Sequence, residues 1–199
     1  MLFRSFYYTD AIGKKTKLSL NYTYKKTALF AEKSSASQYF LPDTSYKTTE
    51  SEYSERKDES HALNGMLTFT VDSLTEVIVK SKLKNGSYTQ DGVSNTNFIT
   101  ANDMLTRNTV TSNIGDGSTN DWDNSVSMTR NFKKKDRRLF LMYGIHTTDN
   151  STDGILKWSN HNYLGALPDS TTDQKKSTSY NNQIHSGNAI YTEPLSKKF

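Results

Sequence analysis

The sequence predicts an all-β fold, an antiparallel up-and-down meander, and three observations predict it. Apolar and polar side chains alternate with a period of two, the strand period, in several separate runs. Short polar turns near Gly13, Ser73, Lys135 and Leu195 follow one another at intervals of roughly 60 residues, the spacing of a repeated unit. The apolar alternation always lies beside these short turns and lasts roughly 8–11 residues, after which the chain turns hydrophilic.

Taken in order, residues 4–9 read as the end of a strand, and residues 10–15 (DAIGKK) as a turn. Residues 17–24 put Leu18, Leu20, Tyr22 and Tyr24 on one face and Lys17, Ser19, Asn21 and Thr23 on the other, and the strand extends to about Lys33. Leu41-Pro42-Asp43-Thr44-Ser45 is turn chemistry, so the chain reverses there. Residues 48–60 form a hydrophilic strand standing in water. They lead into a run with Leu63, Leu67, Phe69 and Val71 on one face. A three-residue turn, Asp72-Ser73-Leu74, sets Phe69 opposite Val77 and Leu67 opposite Val79, which keeps both apolar sets on one side. Residues 85–97 are polar, and 98–105 form a second reversal.

The next hairpin, residues 124–147, is the clearest. Val126, Met128 and Phe132 share one face before a basic turn, and Leu139, Leu141, Tyr143 and Ile145 share one after it. A third reversal, Leu167-Pro168-Asp169-Ser170-Thr171, echoes the first. Residues 177–191 return, with Ile184 and Ile190 favouring one face and Ala189 and Tyr191 the other. Glu193-Pro194-Leu195-Ser196-Lys197 is a final tight turn. The count is about six full strands. Short turns on one rim, long hydrophilic loops on the other and apolar runs of bilayer-spanning length together predict part of a transmembrane β-barrel, too few strands to close by itself. Arg130 falls on the lipid-facing side, close enough to its turn to sit at the rim.

Composition narrows the function classes. Of 199 residues only 33% are hydrophobic, yet 12% are aromatic, which fits pleated, one-sided strands better than disorder. Cysteine is absent, so disulfides and thiolate metal sites are excluded. Net charge is +4, and the Lys/Arg clusters at Lys14-Lys15, Lys133-Lys134-Lys135, Arg137-Arg138 and Lys197-Lys198 each fall at a turn. They form no stripe for nucleic acid. No window approaches the ~20 apolar residues of a membrane helix, and Met1-Leu2-Phe3-Arg4 does not read as a signal peptide.

The elements FLPDTS (40–45), FTVDSL (69–74), RNFKKKDRRLFL (130–141), ALPDSTTDQ (166–174) and YTEPLSKK (191–198) resemble, in order along nearly the whole chain, barrel segments of Bacteroidota outer-membrane β-barrel proteins related to TonB-dependent receptors. The resemblance implies residues 1–199 as one partial barrel domain in the cell outer membrane, with no plug visible. It implies a role in uptake or binding of an unidentified ligand. The implied partners are outer-membrane lipid and further barrel strands.

No catalytic residue, metal ligand or cofactor site is expected, and no enzymatic activity. His61, His146, His161 and His185 are the only histidines. A third reversal centred near residues 165–166 would make His146 and His185 cross-strand neighbours on the lumen face, too few ligands for zinc. Asp116, Asp121, Asp123, Asp149 and Asp153 read as solvated loop residues, since their spacing does not match a calcium loop. Lys80, Lys82 and Lys84 line the expected lumen, and no P-loop, nucleophile elbow or zinc-protease motif occurs. The alternative from another class is a soluble or cell-surface β-repeat adhesin module, its apolar stripes packed on a second sheet.

Overall fold

The computed structural model describes every residue except 43, 166 and 196–199. Its strands are β1 (Leu2–Ile12), β2 (Thr16–Phe40), β3 (Ser45–Asp72), β4 (Thr75–Thr100), β5 (Leu105–Asn131), β6 (Arg138–Asn162) and β7 (Ser170–Thr192). They form one antiparallel sheet in sequence order, with β1 and β7 as its two edges, so the sheet is open. Six long strands stand beside the shorter β1, which pairs β2 only as far as Lys26.

The three prolines, Pro42, Pro168 and Pro194, all lie outside the strands, where the missing N–H breaks no ladder. Four reversals contain a residue in the left-handed region: Gly13, Asp103, Asp136 and Gly165, with φ from 57° to 68°. Glycine and aspartate tolerate that conformation better than most residues. The predicted register of the β3–β4 hairpin is the observed one, with Phe69 opposite Val77 and Leu67 opposite Val79. The hairpin of β5 and β6 also forms as expected, closed by Phe132 N–H donating to the Arg137 carbonyl at 3.0 Å. The final turn expected over residues 193–197 runs outside the described residues.

Three expectations are corrected. The hydrophilic excursions are not long loops. The strands run 23 to 28 residues from β2 to β7, and the far reversals are as tight as the near ones. β2 accordingly runs on to Phe40 rather than about Lys33, and β7 begins at Ser170. Asp116, Asp121 and Asp123 therefore lie in β5, and Asp149 and Asp153 in β6, not in loops. Strands with polar residues on both faces carry no alternation, so the sequence hides them, while Thr, Tyr and Asn still form the backbone ladder.

The β6–β7 hairpin differs by one residue from its expected register. Its turn centres on Gly165, so His146 pairs with Ile184 and His185 with Ile145. One residue of slip moves every side chain to the other face. The two histidines are on opposite sides of the sheet. The same register resolves the face of β7: Ala189 and Tyr191 join Leu141 and Leu139, while Ile184 and Ile190 lie behind.

Among the described residues no apolar side chain is buried, because a single-layer sheet has no interior. A two-layer domain would bury one face against another element. Here the larger apolar groups sit open on one side.

Candidate functional site

Following the register across the sheet gives rows of side chains that share a face. On the first face the row nearest the short turns holds Thr75, Arg130, Leu139 and Tyr191. Next come Phe69, Val77, Met128 and Leu141, then Leu67, Val79, Val126 and Tyr143. After one mixed row, Phe6, Tyr22, Leu63, Leu83 and Trp122 complete the band. The row beyond, with Arg4, Tyr24, His61, Asn85, Asn120 and Asp149, is polar. The members are open to the surroundings: Val79 is 41% exposed, Trp122 52% and Tyr143 50%.

From Leu139 to Thr147, the β6 partner of Trp122, is roughly 26 Å along the strand at ~3.3 Å per residue. At the ~40° tilt of barrel strands that is a height of roughly 20 Å, against the ~25 Å of an outer-membrane apolar band. Tyr22, Tyr24 and Trp122 mark its far margin. The Tyr22 hydroxyl and His61 Nδ1 are 2.7 Å apart there, and Tyr24 packs on the same imidazole at 4.9 Å between ring centres. The mixed row crosses the middle of the band with Gly65, Ser81, Asn124, Ile145 and His185. His185 Nδ1 lies 2.7 Å from the Tyr143 hydroxyl, so these two polar groups satisfy one another.

Arg130 sits at the rim, as its closeness to the turn suggested. Its Nη1 donates to the Thr75 hydroxyl at 2.8 Å and lies 3.6 Å from Asp72 Oδ2. The Leu74 N–H and the Thr75 hydroxyl also donate to Asp72, and these bonds with the nearby guanidinium hold its carboxyl below the usual range. A second clamp closes the basic turn of β5 and β6 onto the end of β7. Glu193 accepts from Arg137 and Lys134, and Tyr191 donates to it at 2.8 Å. These donors hold the Glu193 carboxyl at about 2.

The second face is mixed near the short turns, where Ile78, Phe140, Met142 and Ile190 stand among Thr, Ser and Lys, and turns charged in the rows beyond. Lys82 pairs with Asp123, which pairs with His146; Lys84 pairs with Asp121, which pairs with Thr148. The Thr148 hydroxyl donates to Asp121 at 3.0 Å and lies 3.0 Å from His146 Nε2. Lys80, Lys82 and Lys84 share this face as expected; Lys82 and Lys84 stand opposite aspartates and Lys80 opposite Ser125, so they form no unbroken basic wall. Among the described residues no group of three or more His, Asp or Glu could hold a metal ion.

Higher on the second face, Tyr88 lies across Gly117, and its hydroxyl is 3.3 Å from the Thr152 hydroxyl. Arg56 covers the Tyr88 ring at 4.2 Å and forks onto Asp58. At the far reversals His161 Nδ1 lies 2.5 Å from Asp169, which also accepts from the Asn162 backbone. Those two bonds, the backbone one foremost, lower the Asp169 carboxyl.

One group was missed by sequence reasoning. Thr48, Phe98, Arg107 and Asn162 form a single row of the second face beside the far reversals. The Arg107 guanidinium stacks on the Phe98 ring at 3.7 Å and adjoins a depression of about 340 Å³. The signal was present in the sequence: folding the chain back about residues 102–103 brings these two positions together.

No protein-family model matches this chain, and no curated protein matches it.

Proposed function

We propose that this sheet is part of the wall of a large outer-membrane β-barrel related to TonB-dependent receptors, serving uptake or binding of a ligand at the outer membrane. The apolar band meets lipid, the second face lines the interior, and the hydrophilic upper sheet stands clear of the bilayer. Further strands on the β1 and β7 edges complete the wall, and the basic turns lie at the rim, where Lys and Arg favour anionic headgroups.

The observation that carries the reading is the contiguous apolar band of the first face, roughly 20 Å high at a barrel tilt and bounded by aromatic rings, on a sheet with no core among the described residues. An exposed, contiguous apolar surface of this kind requires an apolar neighbour. The first face turns polar beyond the Trp122 row, whereas the inner face of a packed sandwich would stay apolar from one end of the sheet to the other. The order of turn motifs along the chain, similar to that of the outer-membrane family, supports the identity of the barrel.

The two tryptophans provide the test, since Trp122 lies at the margin of the band and Trp158 in the upper sheet. The chain is refolded in dodecyl maltoside mixed with its brominated form, with Trp122→Phe and Trp158→Phe isolating each fluorophore. Bromine should quench Trp122 strongly and leave Trp158 open to aqueous iodide. Equal response of the two, or a monodisperse, cooperatively unfolding protein in detergent-free buffer, would sink the proposal.

A further inference from the structure

We propose that the depression beside Arg107 binds a small monoanionic molecule with an apolar body, its carboxylate on the guanidinium and its ring or chain against Phe98 and Tyr46.

Arg4 and Arg138 are exposed and have no carboxylate partner among the described residues, but three arginines elsewhere show what half-buried Arg107 lacks. Arg56 has Asp58, Arg130 has Asp72 and Arg137 has Glu193. Among the described residues Arg107 has no such partner, and its Nε is shielded from solvent without a hydrogen bond. Among the described residues no carboxylate lines the depression. Holding a half-buried guanidinium without a counter-charge is unfavourable, and a bound anion relieves it. Stacking on Phe98 fixes the plane of the guanidinium, the arrangement that suits a planar, two-oxygen acceptor.

The rest of the wall is apolar or neutral. Tyr46, Leu164 and Leu167 contribute hydrophobic surface, with Thr100 and Asn162 as neutral polar groups. Tyr46 is itself held in place by stacking on Tyr39, with ring centres 4.6 Å apart and planes 12° apart. A volume of about 340 Å³ is within the range of small-molecule sites. One cation in a recess otherwise lined by apolar and neutral polar groups selects a single negative charge on a largely apolar frame. A polyanion would leave charges unpaired. The inference concerns the far end of the sheet and holds whichever medium covers the apolar band.

The probe is naphthalene-2-carboxylate, compared with the neutral naphthalene-2-carboxamide, titrated calorimetrically into the full chain in dodecyl maltoside, with empty micelles as the blank. The carboxylate should bind saturably and the amide about ten-fold more weakly, as loss of one charge-assisted contact implies. Arg107→Met should bring the carboxylate to the level of the amide, and Phe98→Leu should weaken both. Where Arg107→Met fails to fold by circular dichroism, Arg107→Lys replaces it and should keep a reduced preference for the carboxylate. Equal binding of the two probes, uptake no greater than that of empty micelles, or an unchanged preference in Arg107→Met would each overturn the proposal.

Discussion

The sheet near its short turns and the sheet near its far turns share one backbone ladder, yet their side chains are distributed differently. Near the short turns the two faces differ: Val79, Val126 and Leu141 look one way, Lys80, Ser125 and Met142 the other. Near the far turns both faces are hydrophilic, with Thr, Ser, Asn and charged residues on either side. Backbone pairing is indifferent to this change, since the hydrogen bonds run on unbroken from β2 to β7. The difference between the two parts is thus carried by side chains alone.

That contrast can be broken most forcefully at the centre of the band. Val126→Arg should destabilise the protein in detergent or lipid by ~2–4 kcal/mol, the cost of a midplane arginine on a lipid face. The matching change on the first face of the upper sheet, Ser112→Arg, should stay within ~0.5 kcal/mol. Urea unfolding in micelles checks both, and equal costs at the two sites would erase the distinction.

The upper sheet should in turn respond to the loss of its own devices. A Cβ on Gly117 would stand 2.5 Å from a Tyr88 ring atom and 2.9 Å from the Ser151 carbonyl oxygen. Gly117→Ala should cost ~1–3 kcal/mol, the range for overpacking. Adding Tyr88→Ala should recover part of that loss, because the ring clash is gone and the carbonyl clash is not. Gly187→Ala in the lower sheet, where the nearest atom is 4.0 Å away, should change stability by less than ~0.5 kcal/mol.

The smallest effect is expected at the rim. A carboxyl held below its ordinary value stabilises the folded form above that value and loses its contribution as pH falls. For Glu193 the contribution is complete above about 4.5 and disappears as pH falls through about 2. Glu193→Gln should therefore speed hydrogen exchange of the Phe132 and Arg137 amides at neutral pH. It should also remove the pH dependence of that exchange in acid. A variant indistinguishable from the parent would show that Lys134 and Arg137 do not need this partner.

What the sequence discloses follows the same division. Where one face is apolar, alternation fixes both strand and register, and Phe69 opposite Val77 follows from a three-residue turn. Where both faces are polar, alternation vanishes, and GDGSTNDWDN reads as loop although it is the middle of β5. The misplaced His146 and His185 arise from a subtler source. Leu167-Pro168-Asp169 marks a reversal without marking its centre, and the left-handed Gly165 shifts that centre by half a residue. The Arg107 recess was out of reach for a related reason: it is assembled from three hairpins, and an error in one register would dissolve it.

The open edges of the sheet have a consequence for handling the isolated chain. Above Lys26 the outer edge of β2 has no partner among the described residues, and residues 27–31 (TALFA) present Leu29 and Phe30 at 56% and 63% exposure. An uncovered strand with apolar side chains is a template for pairing with any other chain. Self-association of the isolated chain should therefore begin at this segment and grow with concentration. A lysine at Ala28 or a proline at Ala31 would act as a gatekeeper during refolding.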